Sequence, residues 1–458
     1  MSNNTPKRTV LVVAGLSTFL VTFMGSSINI ALPSISSELQ IDAVLVSWIP
    51  TAYLLATATS LLPFGRLADI YGRKKILTCG IFVFTIATLL VLFTSTAGAL
   101  IALRVVQGIG GAMIAATGVA IIISVFPARE RGRALGISVA ATYLGLSLGP
   151  ILGGILTQHF GWRSIFLATI PLGVTTIPLV LYKMKGEWAE AKGEKFDLAG
   201  SVIYGLALVG IIYGFSLLPK TLGIVLIAAG TSGIFAFVRR EMKVDSPLLD
   251  IKLFVKNRVF VFSNLTHLIS YTATFSIAFL LSLYLQYIKG LSPQSAGLVL
   301  VAMAGVQSGF SPVAGRLSDR ISPRILASIG LGLTAAGLSR FIFLTEDTSL
   351  AFIIGTLVLI GFGRALFVSP NTNAIMASVK QRVYGVASAT FATMRQIGMT
   401  FSMGITMILL ALYIGRIEIT PQYYPQFLSS TKIAFIIFTA LCSAGIVTSM
   451  LRGKTQRK

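Results

Sequence analysis

Arg104, Arg364 and Arg395 stand inside long apolar runs of this 458-residue chain, and His267 stands inside another. A guanidinium in a hydrophobic span is expensive and faces protein or water. Each arginine is therefore a candidate for binding a substrate, for responding to proton movement, or for holding backbone carbonyls of a neighbouring helix. Arg364 can also snorkel or pair near an interface, and Arg340, close to a span end, fits snorkelling. His267 can carry a proton or serve as a hydrogen-bonded packing residue. Asn29, Tyr53 and Gln107 offer neutral polar contacts in or near spans. The fifteen acidic residues give the contrast, because every one falls in a loop or at a span boundary. A cavity with arginines and no carboxylate is positive or neutral, and it suits an anionic or uncharged amphipathic molecule better than a quaternary cation. Two cysteines, Cys79 and Cys442, and two histidines, His159 and His267, make neither a disulfide framework nor a metal set, so no metal or cofactor is expected. No nucleophile–base pair stands out and no G-x-x-x-x-G-K-[ST] loop is present, which argues against an enzyme and against ATP.

The elements that must position these residues are membrane helices. The chain is 55% hydrophobic and 11% charged, with a mean hydropathy of +0.85, too little charge to cover a soluble protein of this size. Its apolar blocks run for about 20 residues, the length of a helical span and too long for barrel strands. Fourteen spans are expected, near 9–31, 45–64, 76–95, 99–126, 134–157, 163–182, 198–217, 221–240, 258–286, 295–314, 325–344, 349–370, 385–412 and 431–450. The seventh and eighth are separated only by Pro219-Lys220. With the N-terminus inside, 28 Lys/Arg fall on inner segments and 5 on outer ones, which places both termini in the cytoplasm. The net charge of +22 then faces the anionic inner leaflet, and no basic soluble domain offers a nucleic-acid surface.

The charged turn GRLADIYGRKK at 65–75 nearly repeats as GRLSDRISPR at 315–324. RERGRALGISVAA at 129–141 pairs with KQRVYGVASATFA at 380–392, and Gly108 and Gly110 pair with Gly361 and Gly363. The pairings divide the chain into a six-helix bundle at 1–182, a linker with two inserted helices at 183–257, and a second six-helix bundle at 258–458. Facing repeats of this kind form transporters with the substrate site at their interface.

Several stretches together resemble the major facilitator superfamily, specifically its fourteen-helix drug:proton antiporter branch. Gly65, Leu67, Asp69, Gly72, Arg73 and Lys74 resemble the loop motif after the second helix. Leu103-Arg104 with Gln107, Gly108 and Gly110 resembles the fourth-helix motif, and Gly145, Gly149, Pro150, Gly153 and Gly154 resemble the antiporter motif of the fifth. The resemblance covers the whole chain. It implies an all-α fold of two bundles working by alternating access, and it ties the residue matching Arg104 to proton coupling. The first-helix motif usually carries an acid five residues before the asparagine, where this chain has Met24.

Three gating elements follow. Asp69 with Arg73 and Gly72, and Asp319 as a weaker counterpart, can form a latch that is made in one arrangement of the bundles and broken in the other. The same charges can instead only enforce topology. Gly145, Gly149 and Gly153 share one helix face, and Pro150 favours a kink. That face is either a bendable seam between the bundles or static close packing. The expected function is proton-coupled export of small amphipathic compounds by a plasma-membrane monomer. Translocation of a lipid or lipid-linked glycan is the alternative.

Overall fold

The computed structural model describes residues 6–251, 254, 257–318, 320–379 and 384–453. Asp319 and residues 380–383, the start of the second repeat segment, lie outside them. Among the described residues the chain is all helix and turn, with no strand. The first eight spans are α1 (Lys7–Leu39), α2 (Ala43–Tyr71), α3 (Arg73–Val91), α4 (Ala97–Val125), α5 (Ala128–Phe160), α6 (Arg163–Pro178), α7 (Leu198–Leu217) and α8 (Thr221–Glu241). A ninth span, α9, runs Arg258–Thr274 and resumes as Ile277–Leu283. Then come α10 (Pro293–Leu317), α11 (Pro323–Phe341), α12 (Leu350–Ala377), α13 (Tyr384–Tyr413) and α14 (Tyr424–Leu451).

Apolar blocks make these helices, and side-chain caps start several of them. Asp42, Thr96, Asp197, Asn257, Ser292 and Ser349 each accept a backbone N–H of the first turn. Many helices outrun the apolar stretches. α1 continues past Pro33 to Leu39 because Leu32, Pro33, Ile35 and Ser36 are all buried, so packing holds its last turns. Among the described residues thirteen helices are long and apolar enough to cross a membrane. α11 falls outside that set. Its two ends carry Arg324 and Arg340, and it packs on α12 and α14 as α3 packs on α4 and α6.

The packing repeats. Within α1–α6, α1 lies on α5 and α2 on α4; within α9–α14, α9 lies on α13 and α10 on α12. The two sets meet along two seams, α5 against α10 and α2 against α13. α7 covers the second seam, and α8 packs on α7. Tyr204 of α7 donates to the Ala58 carbonyl of α2 at 3.0 Å, and Phe215 of α7 packs against Gly404 of α13.

One break was not foreseen. Phe275 and Ser276 interrupt α9, and the Ser276 N–H donates to the Ser402 hydroxyl oxygen of α13 at 3.0 Å. Ser276 is fully buried and Phe275 partly so, and enclosure by protein is the condition under which non-helical backbone is tolerated inside an apolar layer.

Candidate functional site

Arg104 is fully buried. Its Nε donates to the Ile49 carbonyl of α2 at 3.3 Å, its Nη1 donates to Gln107 Oε1, and its plane lies 4.4 Å from the Tyr53 ring centre. Gln107 passes the chain on to Thr88 of α3 at 2.7 Å. A Cβ on Gly108 would sit 2.5 Å from the Tyr53 carbonyl, so the glycine permits this close approach of α4 to α2. Arg104 therefore knits α2 and α4 together.

Tyr53 connects this cluster to the second set. Its hydroxyl is buried without a hydrogen-bond partner, and the ring lies within electrostatic range of both Arg104 and Arg395. Arg395 of α13 is half-buried, and its Nε has no partner. The adjacent Gln396 donates across the seam to the Leu54 carbonyl at 3.1 Å. Beyond Arg395 comes His267, 0% exposed, stacked 4.0 Å from Phe391 and edge-on to Tyr271 at 4.8 Å, with neither ring nitrogen hydrogen-bonded. Arg364 of α12 closes the row. It donates to Gln307 Oε1 at 3.1 Å and to Thr274, and lies 4.9 Å from the Tyr271 ring centre. Tyr143 of α5 meets this end through Ser311, at 3.2 Å.

Arg104, Tyr53, Arg395, His267 and Arg364 thus form one row of cations and rings running from α4 to α12. Asn29 sits apart from it. The Asn29 carbonyl accepts Ser282 of α9 at 2.6 Å, Gln286 donates to the Ile30 carbonyl at 3.0 Å, and the Asn29 side-chain oxygen is left unpaired. All fourteen described acids lie in loops, at caps or in a terminal turn of a helix. Met24 is fully buried in α1.

The glycine face of α5 packs differently from its expectation as a seam between the bundles. Cβ atoms on Gly145 and Gly149 would strike the hydroxyls of Thr22 and Ser26 of α1, and one on Gly153 would lie 2.8 Å from Ser27. That face seals α1 to α5 within the first set, where the small hydroxyl residues of α1 leave no room for a Cβ. Contact with α10 falls to the neighbouring positions. Gly154 abuts the Pro293 carbonyl, and Gly297 of α10 abuts the Pro150 carbonyl, so each helix sets a glycine against the other's backbone.

At the basic end of the bundle, Asp69 accepts Arg73 Nε at 2.9 Å, and Arg73 also donates to Glu190 at 2.7 Å and Ser124 at 2.6 Å. The 183–197 segment, expected to be only a linker, is a strap over this turn. Glu187 caps α3 by accepting the N–H groups of Lys74 and Lys75 at 2.7 and 3.2 Å. Trp188 O accepts Arg73 N–H, and Ala191 N–H donates to Asp69 O, both at 2.9 Å. Glu194 pairs with Arg66 and accepts Ser246; these contacts hold its carboxyl below the usual range. Gly72, at φ +120°, lies where any Cβ would strike Glu187. Glu187, Glu190 and Glu194 stand far from the 65–75 turn in the sequence, so their spacing did not reveal which basic turn they cover.

The family model of the Major Facilitator Superfamily matches residues 14–403 and 263–455. The chain belongs to that superfamily. It is 31% identical over 398 residues to the riboflavin transporter RibZ of Clostridioides difficile, covering 86% of each chain. It is 32% identical over 414 residues to the cephamycin export protein CmcT of Amycolatopsis lactamdurans, covering 88% of this chain and 85% of that one. A bacterial homologue of the human lysosomal transporter Spinster has the same fold, with a TM-score of 0.68 at 16% identity over 98% of this chain and 97% of that one.

Proposed function

We infer that the protein is a secondary transporter that exports small amphipathic anions or neutral compounds from the cytoplasm by alternating access. The carrying observation is the row between the helix sets, in which Arg364 and Arg395 have aromatic and neutral polar neighbours and no described carboxylate lies near them. Guanidinium groups beside aromatic rings suit a flat molecule bearing a carboxylate, sulfonate or phosphate. The α4 arginine is the positioning residue of the site, holding Tyr53 toward it.

In this reading residues 1–182 and 258–458 rock as two six-helix units, and 183–257 supplies the strap and the inserted pair. The positive-charge asymmetry supports placing both termini in the cytoplasm, and a monomer in the plasma membrane is part of the same reading. The latch of the α2–α3 turn then sits on the cytoplasmic face, while Ser282, Gln286, Gly154 and Gly297 close the outer side. Likeness to a cephamycin exporter supports the direction and likeness to a riboflavin transporter supports the aromatic cargo. Resemblance to drug:proton antiporters suggests coupling to protons, without the usual first-helix acid.

The test is a transport screen in proteoliposomes with cefoxitin (a cephamycin carboxylate), neutral riboflavin and cationic ethidium. Cefoxitin or riboflavin moves, and Arg364→Gln or Arg395→Gln slows cefoxitin at least tenfold. Movement of ethidium alone rejects the anion reading.

A further inference from the structure

Hydrogen-bond donors in the central row divide into those that are engaged and those that are not. Arg104 donates to Ile49 and Gln107, and Arg364 donates to Gln307 and Thr274. Tyr53 Oη and Arg395 Nε are both buried and have no partner. They stand within electrostatic range of each other across the α2–α13 seam, which Gln396 spans one residue beyond Arg395. A guanidinium can only donate, and the phenol beside it has nothing to donate to. What this place lacks is an acceptor, and near two guanidiniums the favoured acceptor is negatively charged. The hydroxyl is held there from α4. Arg104 lies over the ring, Gly108 lets α4 approach the Tyr53 carbonyl, and a Cβ on Gly111 would stand 2.8 Å from the hydroxyl oxygen. Thr57, one turn along α2, lies beside the phenol but turns its own hydroxyl to the Tyr53 and Gly108 carbonyls.

We propose that Tyr53 is the residue by which the carrier tells an anion from its uncharged form. Its hydroxyl and Arg395 Nε take the two oxygens of one carboxylate, so the charged group of the cargo is shared between the two bundles. This rests on the anion reading of the row. Purified parent and Tyr53→Phe proteins are titrated with cefoxitin and with its uncharged methyl ester, followed by tryptophan fluorescence. The variant keeps the ring under Arg104 and loses only the hydroxyl. Without cargo it melts no lower than the parent, because the group removed was buried and unpaired. Its cefoxitin binding weakens about tenfold or more, as a lost hydrogen bond to a charged group requires, and its ester binding weakens about threefold at most. With Arg395→Gln added, the two losses fall short of multiplying, the mark of two donors on one carboxylate. Unchanged cefoxitin binding in Tyr53→Phe, equal losses for acid and ester, a lower melting temperature without cargo, or losses that multiply in full each overturn the proposal. Where Arg395→Gln alone still weakens cefoxitin about tenfold, the anion reading of the row survives such a result. Cefoxitin binding that is absent from the parent, or equal in the parent and Arg395→Gln, overturns both.

Discussion

Arg104 and Arg395 are both arginines in apolar helices, and their surroundings give them different tasks. Arg104 spends its donors on Ile49 and Gln107 and its flat face on Tyr53. Lysine cannot reproduce that fork. Arg104→Lys loses hydrogen bonds to a charged group worth about 1.5–3 kcal/mol each, so its melting temperature in detergent falls whether or not an anion is present. Arg395 keeps a buried Nε without a partner. Arg395→Gln therefore leaves melting nearly unchanged and weakens cefoxitin binding tenfold or more, while Arg395→Lys keeps part of it. The sequence identified these arginines as candidates, and for Arg104 it already included the carbonyl-holding role. It did not fix which way each points, because helices apolar on most sides give no stripe from which to read rotation. His267 was legible as a titratable group in a span, but of its aromatic cage only Tyr271 is near in sequence, while Phe367 and Phe391 come from α12 and α13, 100 and more positions away.

Helices carry the next set of constraints. The α5–α10 crossing has a glycine on each side against the other's carbonyl, so Gly297→Val forces the two apart where they touch. The Gln294 N–H donates to Gln158 Oε1 at 3.3 Å across this crossing, so cysteines placed at these two positions should cross-link in the parent, and the cross-link should be lost in this variant. The break in α9 depends on Ser402, whose hydroxyl is the partner of the Ser276 N–H. Ser402→Ala leaves a buried donor unmatched at a cost of about 1–3 kcal/mol, read as a lower melting temperature; Ser402→Thr, which keeps the hydroxyl, recovers most of it. The sequence around the break, SYTATFSIAF, holds no Pro or Gly to announce it. The α7–α8 boundary was legible for the converse reason, with Pro219 between Leu217 and Thr221. The glycine face of α5 was legible as a close-packing face, but not its partner, since Thr22, Ser26 and Ser27 become recognisable only once α1 lies against it.

At the scale of the molecule, the motifs pointed to the major facilitator superfamily, and the family match shows it. The strap was missed because its bonds join backbone to backbone as well as acid to base. It leads into Asp197, which caps α7 and is gripped by Arg240 of α8 through both carboxylate oxygens. The Arg240 bond, with the Gly200 N–H, holds the Asp197 carboxyl below its ordinary value. A lowered carboxyl stabilises the fold above its unfolded value, near 3.9, and that contribution is lost as pH falls through the folded value. Acid melting curves should therefore show the parent losing stability below about pH 4, with Asp197→Asn less stable at neutral pH and flatter across that range.

The inserted α7–α8 pair has a further effect on how cargo arrives. Through α7, which covers the α2–α13 seam, it boards up one of the two side doors through which a greasy molecule already dissolved in the leaflet would slip into the carrier. Among the described residues no inserted helix packs over the opposite door, between α5 and α10. A bilayer-dissolved cargo would meet a one-sided protein, and bulky labels along the uncovered edge should hinder its entry far more than the same labels on the outer face of α8.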